Sequence, residues 1–218
     1  AVVAATARAA RTRAGRGGDS AVGPAPLARR KKNARRQRAW LVFADESGLS
    51  QQPVVRRTWA PRGQTPILSH TRASWRRLSV AGALAFRWDA RRPRFYFQTR
   101  PGSYTDVALI AFVRQLKRHF RGRRVWLLWD GLGAHKSRAM RAYLGRERAW
   151  LTVEPLPGYA PELNPVEQVW GNVKGGELAN VCAADLAALR HPAHRGFARV
   201  RRQPHLAFAF LRHAGLTL

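Results

Sequence analysis

Three acidic residues stand where carboxylates would be able to hold a metal ion, in a chain in which acids are rare. Asp45 follows the apolar run Trp40–Ala44, and Asp130 follows the apolar run Val125–Trp129. Two carboxylates held close together repel each other unless a cation lies between them. Mg²⁺ binds carboxylate and phosphate oxygens, and two such ions about 3.5–4 Å apart stabilise the attacking and leaving oxygens in phosphoryl transfer. The pattern therefore favours metal-dependent chemistry on a phosphodiester.

The third acid, Glu167, lies in the segment LPGYAPELNPVEQVW at residues 156–170. Asn164 is a favourable N-cap, and Pro165 suits the first position of a helix. Glu167 then falls in the first helical turn, which fixes where its carboxylate points. The same position is also that of a capping box, in which Glu167 would only reach back to the backbone of Asn164.

Simpler roles remain open for each of these acids. Asp45 and Asp130 would each be able to end a strand and cap the next element, since Asp is common in turns. Glu162 competes with Glu167 as the third acid, and Glu46 competes with Asp45. Strand alternation, however, turns Glu46 to the face opposite Asp45. We therefore predict Asp45, Asp130 and Glu167 as the metal-binding, catalytic set.

His135 lies five residues beyond Asp130, in WDGLGAHKS. It is a candidate to contact the scissile phosphate or to shuttle a proton, and a surface loop histidine is the equal alternative. Lys136 and Arg138 beside it are candidate phosphate contacts, or ordinary solvated charges. No Cys/His spacing indicates zinc, and Gly131 and Gly133 lack the rest of a nucleotide-binding fingerprint.

The charge of the chain indicates a polyanionic partner. The 218 residues include 40 Lys and Arg against 12 Asp and Glu, which gives a formal net charge of +28. Nucleic acid is the obvious partner, because each neutralised phosphate releases a counterion; a membrane surface is the weaker alternative, and we expect none. The single cysteine, Cys182, excludes an internal disulfide and suggests a reducing compartment, so we expect a cytoplasmic protein.

Two regions differ in composition. Residues 1–37 are rich in Ala, Arg, Gly and Pro, with almost no large apolar side chain, and we predict a disordered basic arm. Residues 38–218 have the apolar content of one folded domain. Trp59, Trp75 and Trp88 are candidates to stack on bases, although such residues more often belong to a core.

The elements that would position the acids follow from hydrophobic periodicity. We predict strands at Trp40–Ala44, Leu78–Phe86, Arg94–Gln98, Arg124–Trp129 and Leu151–Pro155. We predict helices at Tyr104–Phe120, with Ser103 or Thr105 as the cap, and at Ser137–Trp150, Asn164–Leu178 and Gln203–Ala214. Buried strands joined by crossover helices indicate an α/β fold, a mixed sheet flanked by helices. Asp45 and Asp130 then lie side by side if their strands are adjacent and parallel.

Three segments together resemble a known family. FADESGLSQQPVVRRTWAPRGQTPIL (43–68), VWLLWDGLGAHKS (125–137) and LPGYAPELNPVEQVWGNVKGGELAN (156–180) are similar to the insertion-sequence 630 family of transposases, bacterial relatives of mariner elements with a DDE superfamily endonuclease domain. The resemblance runs from about Arg38 to the C-terminus. The three motifs occur in the family's order, and such a combination is highly specific.

The resemblance implies a ribonuclease-H-like fold, with Asp45, Asp130 and Glu167 matching the catalytic triad and His135 matching a family position. It implies Mg²⁺ or Mn²⁺ as the cofactor, bound as two ions, with cleavage of double-stranded DNA at transposon ends and attack of a 3′-hydroxyl on target DNA. It also implies a homodimer, and a bacterial protein that associates with the nucleoid when bound to DNA. Arg62 and Lys174, in the matching segments, join Lys136 and Arg138 as predicted DNA contacts.

One feature departs from the family pattern. Members usually carry N-terminal helix-turn-helix modules, and the residues before Arg38 show no such pattern, so we expect specific recognition of element ends to be lacking. Two alternatives therefore remain: a catalytically inactive remnant that acts only as a basic DNA-binding protein, and a structure-specific nuclease without strand transfer.

Overall fold

A computed structural model describes residues 33–69, 76–131, 133–156 and 161–217. The predicted basic arm lies outside the described residues up to position 32. Residues 33–36 form one helical turn, and Ala34 is buried in the core. The described fold thus begins before Arg38, the residue at which the sequence predicted the domain to start.

Five strands form one mixed sheet in the order β3-β2-β1-β4-β5. Antiparallel pairing joins β1 to β2 and β2 to β3, and parallel pairing joins β1 to β4 and β4 to β5. The strands are β1 (Trp40–Leu49), β2 (Leu78–Phe86), β3 (Arg94–Pro101), β4 (Val125–Trp129) and β5 (Leu151–Pro155). The predicted α/β class with a mixed sheet is confirmed.

Helices cover both faces of this sheet. They are α1 (Asp106–His119), α2 (Arg138–Arg146), α3 (Pro165–Gly175), α4 (Leu186–Arg202) and α5 (Pro204–His213). Alternate residues of β1 separate the two layers: Val42 packs in the cluster formed with α1 and α2, whereas Leu41 and Phe43 pack in the cluster formed with α3, α4 and α5. This alternation follows from the two-residue period of a strand. No helix in the described part of the chain is long and apolar enough to cross a bilayer.

Strand β1 extends further than its apolar residues predicted. The prediction ended it at Ala44, but it pairs with β2 from Leu41 opposite Phe86 to Leu49 opposite Leu78. Asp45 therefore lies inside the strand, opposite Gly82, and does not follow its end. Backbone hydrogen bonds to β2 allow the strand to continue through the polar second half of β1.

Helix α4 was not predicted. Its sequence is rich in arginine and contains Pro192, both of which obscure its periodicity. Its buried side chains nevertheless form one apolar stripe: Leu189, Ala193, Phe197 and Val200. Other helices are shorter than predicted; α2 ends at Arg146 and α3 at Gly175, while Thr105 caps α1 as one of the two predicted candidates.

Candidate active site

The two aspartates lie side by side at the end of the parallel strand pair. The register of β1 against β4 runs from Trp40 opposite Val125 to Phe43 opposite Leu128. Two further residues along both strands place Asp45 beside Asp130. Asp45 is 6% exposed, whereas 36% of the Asp130 side chain is exposed. The predicted adjacency of the two strands is confirmed, and one carboxylate is deep while the other reaches solvent.

Helix α3 brings Glu167 to the same edge. Its N-cap, Asn164, is buried and donates a hydrogen bond from Nδ2 to the main-chain oxygen of Ala44, at 3.2 Å. The Oδ1 atom of Asn164 accepts from the backbone N–H of Val166, also at 3.2 Å. The first turn of α3 is therefore tied to β1 directly before Asp45, and Glu167 lies in that turn.

The capping-box alternative for Glu167 is not realised. The backbone N–H that such a box would bind is that of Asn164, and it donates instead to the main-chain oxygen of Pro161, at 2.9 Å. Within the described ranges no hydrogen bond holds the Glu167 carboxylate, which is exposed. Glu162, the competing third acid, is also exposed, in a short 3-10 turn at Pro161–Leu163. The exposure of Glu167 is compatible with binding a ligand.

The electrostatics of Asp45 show that the acids interact. Burial raises the pKa of Asp45 from 3.8 to about 7, against the hydrogen bond from Trp170, which lowers it. The nearby charges of Glu167, Glu46 and Asp130 raise the pKa further. Like charges gathered around a buried carboxylate are what a bound cation would relieve.

Trp170 contacts a predicted site residue, although the sequence patterns above did not single it out. Its indole Nε1 donates to Asp45 Oδ2 at 2.7 Å. Gly82, opposite Asp45 in the register, makes room for the indole, since a Cβ there would lie 2.5 Å from Trp170 Cη2. A signal was available: Trp170 follows Glu167 by three residues, and residues three apart lie on one face of a helix.

Glu46 points away from Asp45, as strand alternation predicted. It accepts hydrogen bonds from Trp129 Nε1 at 3.0 Å and forms a 3.1 Å contact with His135 Nε2. The His135 ring also packs on Trp129, with 3.8 Å between ring centroids. Burial lowers the pKa of His135, but the hydrogen bonds to Asp130 and Glu46 prevail and raise it to about 9. The raised pKa favours the protonated form of His135, and its burial shows that it is not a surface loop residue.

The contact between His135 and Asp130 involves both the backbone and the carboxylate of Asp130. His135 Nδ1 lies 2.9 Å from the main-chain oxygen of Asp130 and 3.0 Å from its Oδ1. One N–H faces both oxygens, and its alignment favours the main-chain oxygen, because Oδ1 is buried without a hydrogen-bond partner. His135 Nδ1 thus contacts Oδ1 as an ion pair and not through an aligned hydrogen bond, and coordination to a cation would give this buried oxygen a further partner.

A second grouping of possible metal ligands includes Glu46. Ligand atoms of Glu46, Asp130 and His135 all lie within 4.8 Å of one another. A metal requires the neutral form of histidine, however, and His135 has a raised pKa with both ring nitrogens already engaged. The set Asp45, Asp130 and Glu167 stays the predicted cation site, and we call it the carboxylate site.

The four predicted DNA contacts lie at different distances from these groups. Lys136 is exposed and folds over Gly131, where its Nζ would lie 3.3 Å from an added Cβ. Lys174 donates from Nζ to Ser47 Oγ at 2.9 Å, which holds it beside β1. Arg138 is exposed at the start of α2, and Arg62 is exposed in the irregular segment 51–69. Their role in binding DNA stays a prediction.

Comparison with known families decides the classification. The chain matches the family described as DDE superfamily endonuclease over residues 40–190. The chain belongs to the DDE superfamily endonucleases. The matched region of this superfamily domain includes Asp45, Asp130 and Glu167, together with Glu46, His135 and Trp170. Assignment to the insertion-sequence 630 family within the superfamily stays a prediction.

Solved structures show the same fold. The Mos1 mariner paired end complex with Mn aligns with a TM-score of 0.60 and 18% identity, over 94% of this chain and 64% of that one. A pre-cleavage Mos1 transpososome aligns with a TM-score of 0.51 and 19% identity, over 96% and 68%. The chain thus spans about two thirds of the length of these transposase chains, and its domain has the predicted ribonuclease-H-like fold. Comparison with curated proteins gave no match.

Proposed function

We propose that this domain is the catalytic domain of a DNA transposase, which hydrolyses phosphodiesters at transposon ends and transfers a 3′-hydroxyl strand into target DNA. The observation that carries the proposal is the convergence of Asp45, Asp130 and Glu167, from two parallel strands and a helix, at one edge of the sheet. Membership of the DDE superfamily endonucleases supports it, as does a net charge of +28.

Mg²⁺ or Mn²⁺ fits the carboxylate site. Asp45 has a raised pKa beside further carboxylates, and Asp130 Oδ1 is buried without a hydrogen-bond partner. Asp45, Asp130 and Glu167 would hold the ions, of which we propose two. When bound, such ions activate water and stabilise charge on the attacking and leaving oxygens. Related Mos1 complexes are described with Mn and with Mg.

The remaining residues hold this site in place. Trp170 restrains one oxygen of Asp45, and Asn164 ties the helix of Glu167 to β1. His135, buried and cationic, lies against Asp130 and offsets part of the negative charge. Because it is bound on both nitrogens, we assign it to orienting Asp130, and contact with the scissile phosphate remains part of its predicted role.

The partner that we propose is double-stranded DNA, with Lys136, Arg138, Arg62 and Lys174 contacting its phosphates. The similar Mos1 structures include a paired end complex and a strand transfer complex. We therefore propose that this chain also acts as a homodimer on paired ends.

Nicking of supercoiled plasmid with Mg²⁺ or Mn²⁺ tests the proposal. The parent is compared with Asp45→Asn, Asp130→Ala and Glu167→Gln, and with Glu162→Gln as the matched control on the same segment. We expect nicking by the parent and by Glu162→Gln, and losses of at least about a hundredfold in the other three, since each removes a metal ligand. Adding an oligonucleotide with a free 3′-hydroxyl and a plasmid target measures joining.

Three outcomes would contradict parts of the proposal. Cleavage without joining would indicate a nuclease and overturn the strand-transfer part. DNA binding by a folded parent without any nicking would indicate the inactive DNA-binding remnant. If Glu46→Gln abolished metal binding while Asp45→Asn retained it, the second grouping of ligands would replace the carboxylate site.

A further inference from the structure

Five arginines surround a cavity at the end of the sheet opposite the carboxylate site. The cavity has a volume of about 330 Å³, and the arginines are Arg38, Arg87, Arg94, Arg121 and Arg123, all of them exposed. We call this feature the arginine pocket. None of the four DNA contacts predicted from the sequence belongs to it.

The topology separates this pocket from the carboxylate site. Arg38 precedes β1 and Arg123 precedes β4, whereas Asp45 and Asp130 lie toward the other end of the same two strands. Five residues of extended strand, at about 3.3 Å each, separate Trp40 from Asp45 by roughly 17 Å. A ligand in the pocket therefore would not touch the metal-binding carboxylates.

Aromatic rings hold the guanidinium groups in place. Arg38 and Arg87 both lie over the ring of Trp88, at 5.9 and 5.7 Å from its centroid, and Arg94 lies 5.2 Å from the centroid of Trp40. Such contacts restrain a long side chain while its N–H groups stay free to bind an anion. They also mean that guanidinium groups cover Trp88, which disfavours stacking on bases and favours contact with phosphates.

The positive charge of the pocket is largely uncompensated. Asp89 is the acid that pairs with Arg87, at 3.3 Å. Throughout the described ranges, the other four arginines form no salt bridge with a carboxylate. On the pocket wall, burial lowers the pKa of His119, and the charges of Arg201, of the pocket residue Arg94 and of Arg118 lower it further. Like charges gathered this closely repel each other unless an anion binds among them.

The backbone around the pocket is also unusual. Non-glycine residues with positive φ occur at four described positions, and three of them are Arg38 (49°), Ala90 (57°) and Arg92 (50°). Arg38 lines the pocket, and the other two lie in the turn between β2 and β3 that follows Trp88. Strained backbone of this kind persists where surrounding structure enforces it, often at binding sites.

We propose that the arginine pocket binds the phosphate backbone of duplex DNA, as a second contact separate from the carboxylate site. The choice of DNA among polyanions rests on the proposed function; the anion site itself rests on the five arginines and their restraints. A duplex fits because the rings in the pocket are covered and its phosphates are evenly spaced. The contact would grip a DNA segment at a distance from the reacting strand.

Binding of the full chain to a duplex of arbitrary sequence tests this, with EDTA present and over a range of salt concentrations. The site variant is Arg38→Gln with Arg123→Gln. The control variant is Arg190→Gln with Arg195→Gln, which removes the same charge from exposed positions on α4. Because each phosphate contact contributes about 0.9 to the salt slope, we expect the slope to fall by about two in the site variant alone.

A second variant guards against misfolding. Arg121→Gln with Arg123→Gln changes only the exposed loop between α1 and β4, and we expect the same fall in slope. Equal slopes in the site and control variants would overturn the proposal, because binding would then be spread over a generally basic surface. An equal effect of the site variant on single-stranded DNA would overturn the assignment to a duplex.

Failure of the proposed function would look different. Binding is measured without divalent metal, and Asp130→Ala is included so that cleavage plays no part. If the salt slope falls in the site variant alone but the parent never nicks DNA, the result supports DNA binding at the arginine pocket and contradicts the proposed nuclease activity. If the parent nicks DNA but the site and control variants have equal salt slopes, the result supports the nuclease activity and contradicts DNA binding at the arginine pocket.

Discussion

The indole nitrogen of Trp170 lies 2.7 Å from Oδ2 of Asp45, although 125 positions separate the two residues in the chain. This hydrogen bond restrains the most buried carboxylate of the site from the side opposite Glu46. Gly82 makes it possible, because any larger residue on β2 would occupy the space of the indole. The bond connects α3 to β1 beside β2 and holds a carboxylate of the proposed active site. Substitutions at Trp170 and Gly82 test its importance.

Trp170→Phe should lower metal-dependent nicking by about 10- to 100-fold, a typical cost of removing a partner of a metal ligand. The ring remains, but Asp45 loses the N–H that orients it. Nicking rates against Mg²⁺ concentration measure the effect, and we expect a higher metal requirement. Trp126→Phe is the control, since it removes an indole N–H that donates to Gln37 and not to a residue of the carboxylate site. Equal rates in the parent and Trp170→Phe would contradict the positioning role.

Gly82→Ala should destabilise the protein by about 1–3 kcal/mol, because its methyl group would displace the Trp170 ring in a packed core. The comparison is Gly145→Ala on α2, where an added Cβ meets no atom within 4 Å. There we expect no loss, or a gain of about 0.5–1 kcal/mol from the higher helix propensity of alanine. Chemical denaturation measures both, and equal losses would disprove the steric argument.

Asp45→Asn should stabilise the metal-free protein at neutral pH. The pKa of Asp45 is raised from 3.8 to about 7 in the folded state, so the folded state holds its proton more tightly. The stability from this group is complete below about pH 4 and is lost as the pH rises toward 7. At pH 8 we expect the variant to gain roughly 1–4 kcal/mol, since one pKa unit corresponds to about 1.4 kcal/mol.

Thermal or chemical unfolding of both proteins from pH 4 to pH 8, with EDTA, measures this difference in the free energy of unfolding. Mg²⁺ should then stabilise the parent more than the variant, because a ligand that binds the folded state raises its stability. If the difference in stability between the parent and the variant did not depend on pH, Asp45 would not be protonated in the metal-free protein.

Glu177→Gln should weaken the contact between α3 and α4. Two oxygens of Glu177 accept from Arg199 Nε and Nη2, at 2.5 and 2.9 Å, and this hydrogen bonding lowers the pKa of Glu177 below its usual 4.5. A lowered pKa stabilises the fold above pH 4.5, and that stability is lost as the pH falls below it. We expect a cost of about 1–2 kcal/mol at pH 7 that shrinks near pH 3.

Unfolding of Glu177→Gln at several pH values, beside the exposed control Glu162→Gln, checks this. A loss that stayed constant down to pH 3 would assign the effect to packing and not to charge.

Local patterns were sufficient for much of the sheet. The apolar runs predicted β2 and β5 with their observed bounds, and they placed Asp45 and Asp130 beside each other once their strands were taken as adjacent and parallel. The N-cap at Asn164 placed Glu167 in a first helical turn. These features depend on residues that are close together in the chain, so local sequence patterns are sufficient to predict them.

Other features depend on which distant segments meet. The sequence did not predict that β1 continues through Asp45, because β2 supplies the hydrogen bonds for its polar half. It left His135 equally a surface residue and a site residue until Glu46, Asp130 and Trp129 were seen around it. It also did not indicate the arginine pocket, whose members precede β1, follow β2, begin β3 and follow α1.

By itself the sequence determined the order of the five strands and of every helix except α4, the acids at the ends of buried runs and the strongly basic character of the chain. The tertiary structure decided which oxygen of Asp45 is held, where Glu46 points and which arginines gather around one cavity. The reason is physical: hydrophobic periodicity reports which face of an element is buried, but a hydrogen bond also requires the partner's position, which only packing supplies.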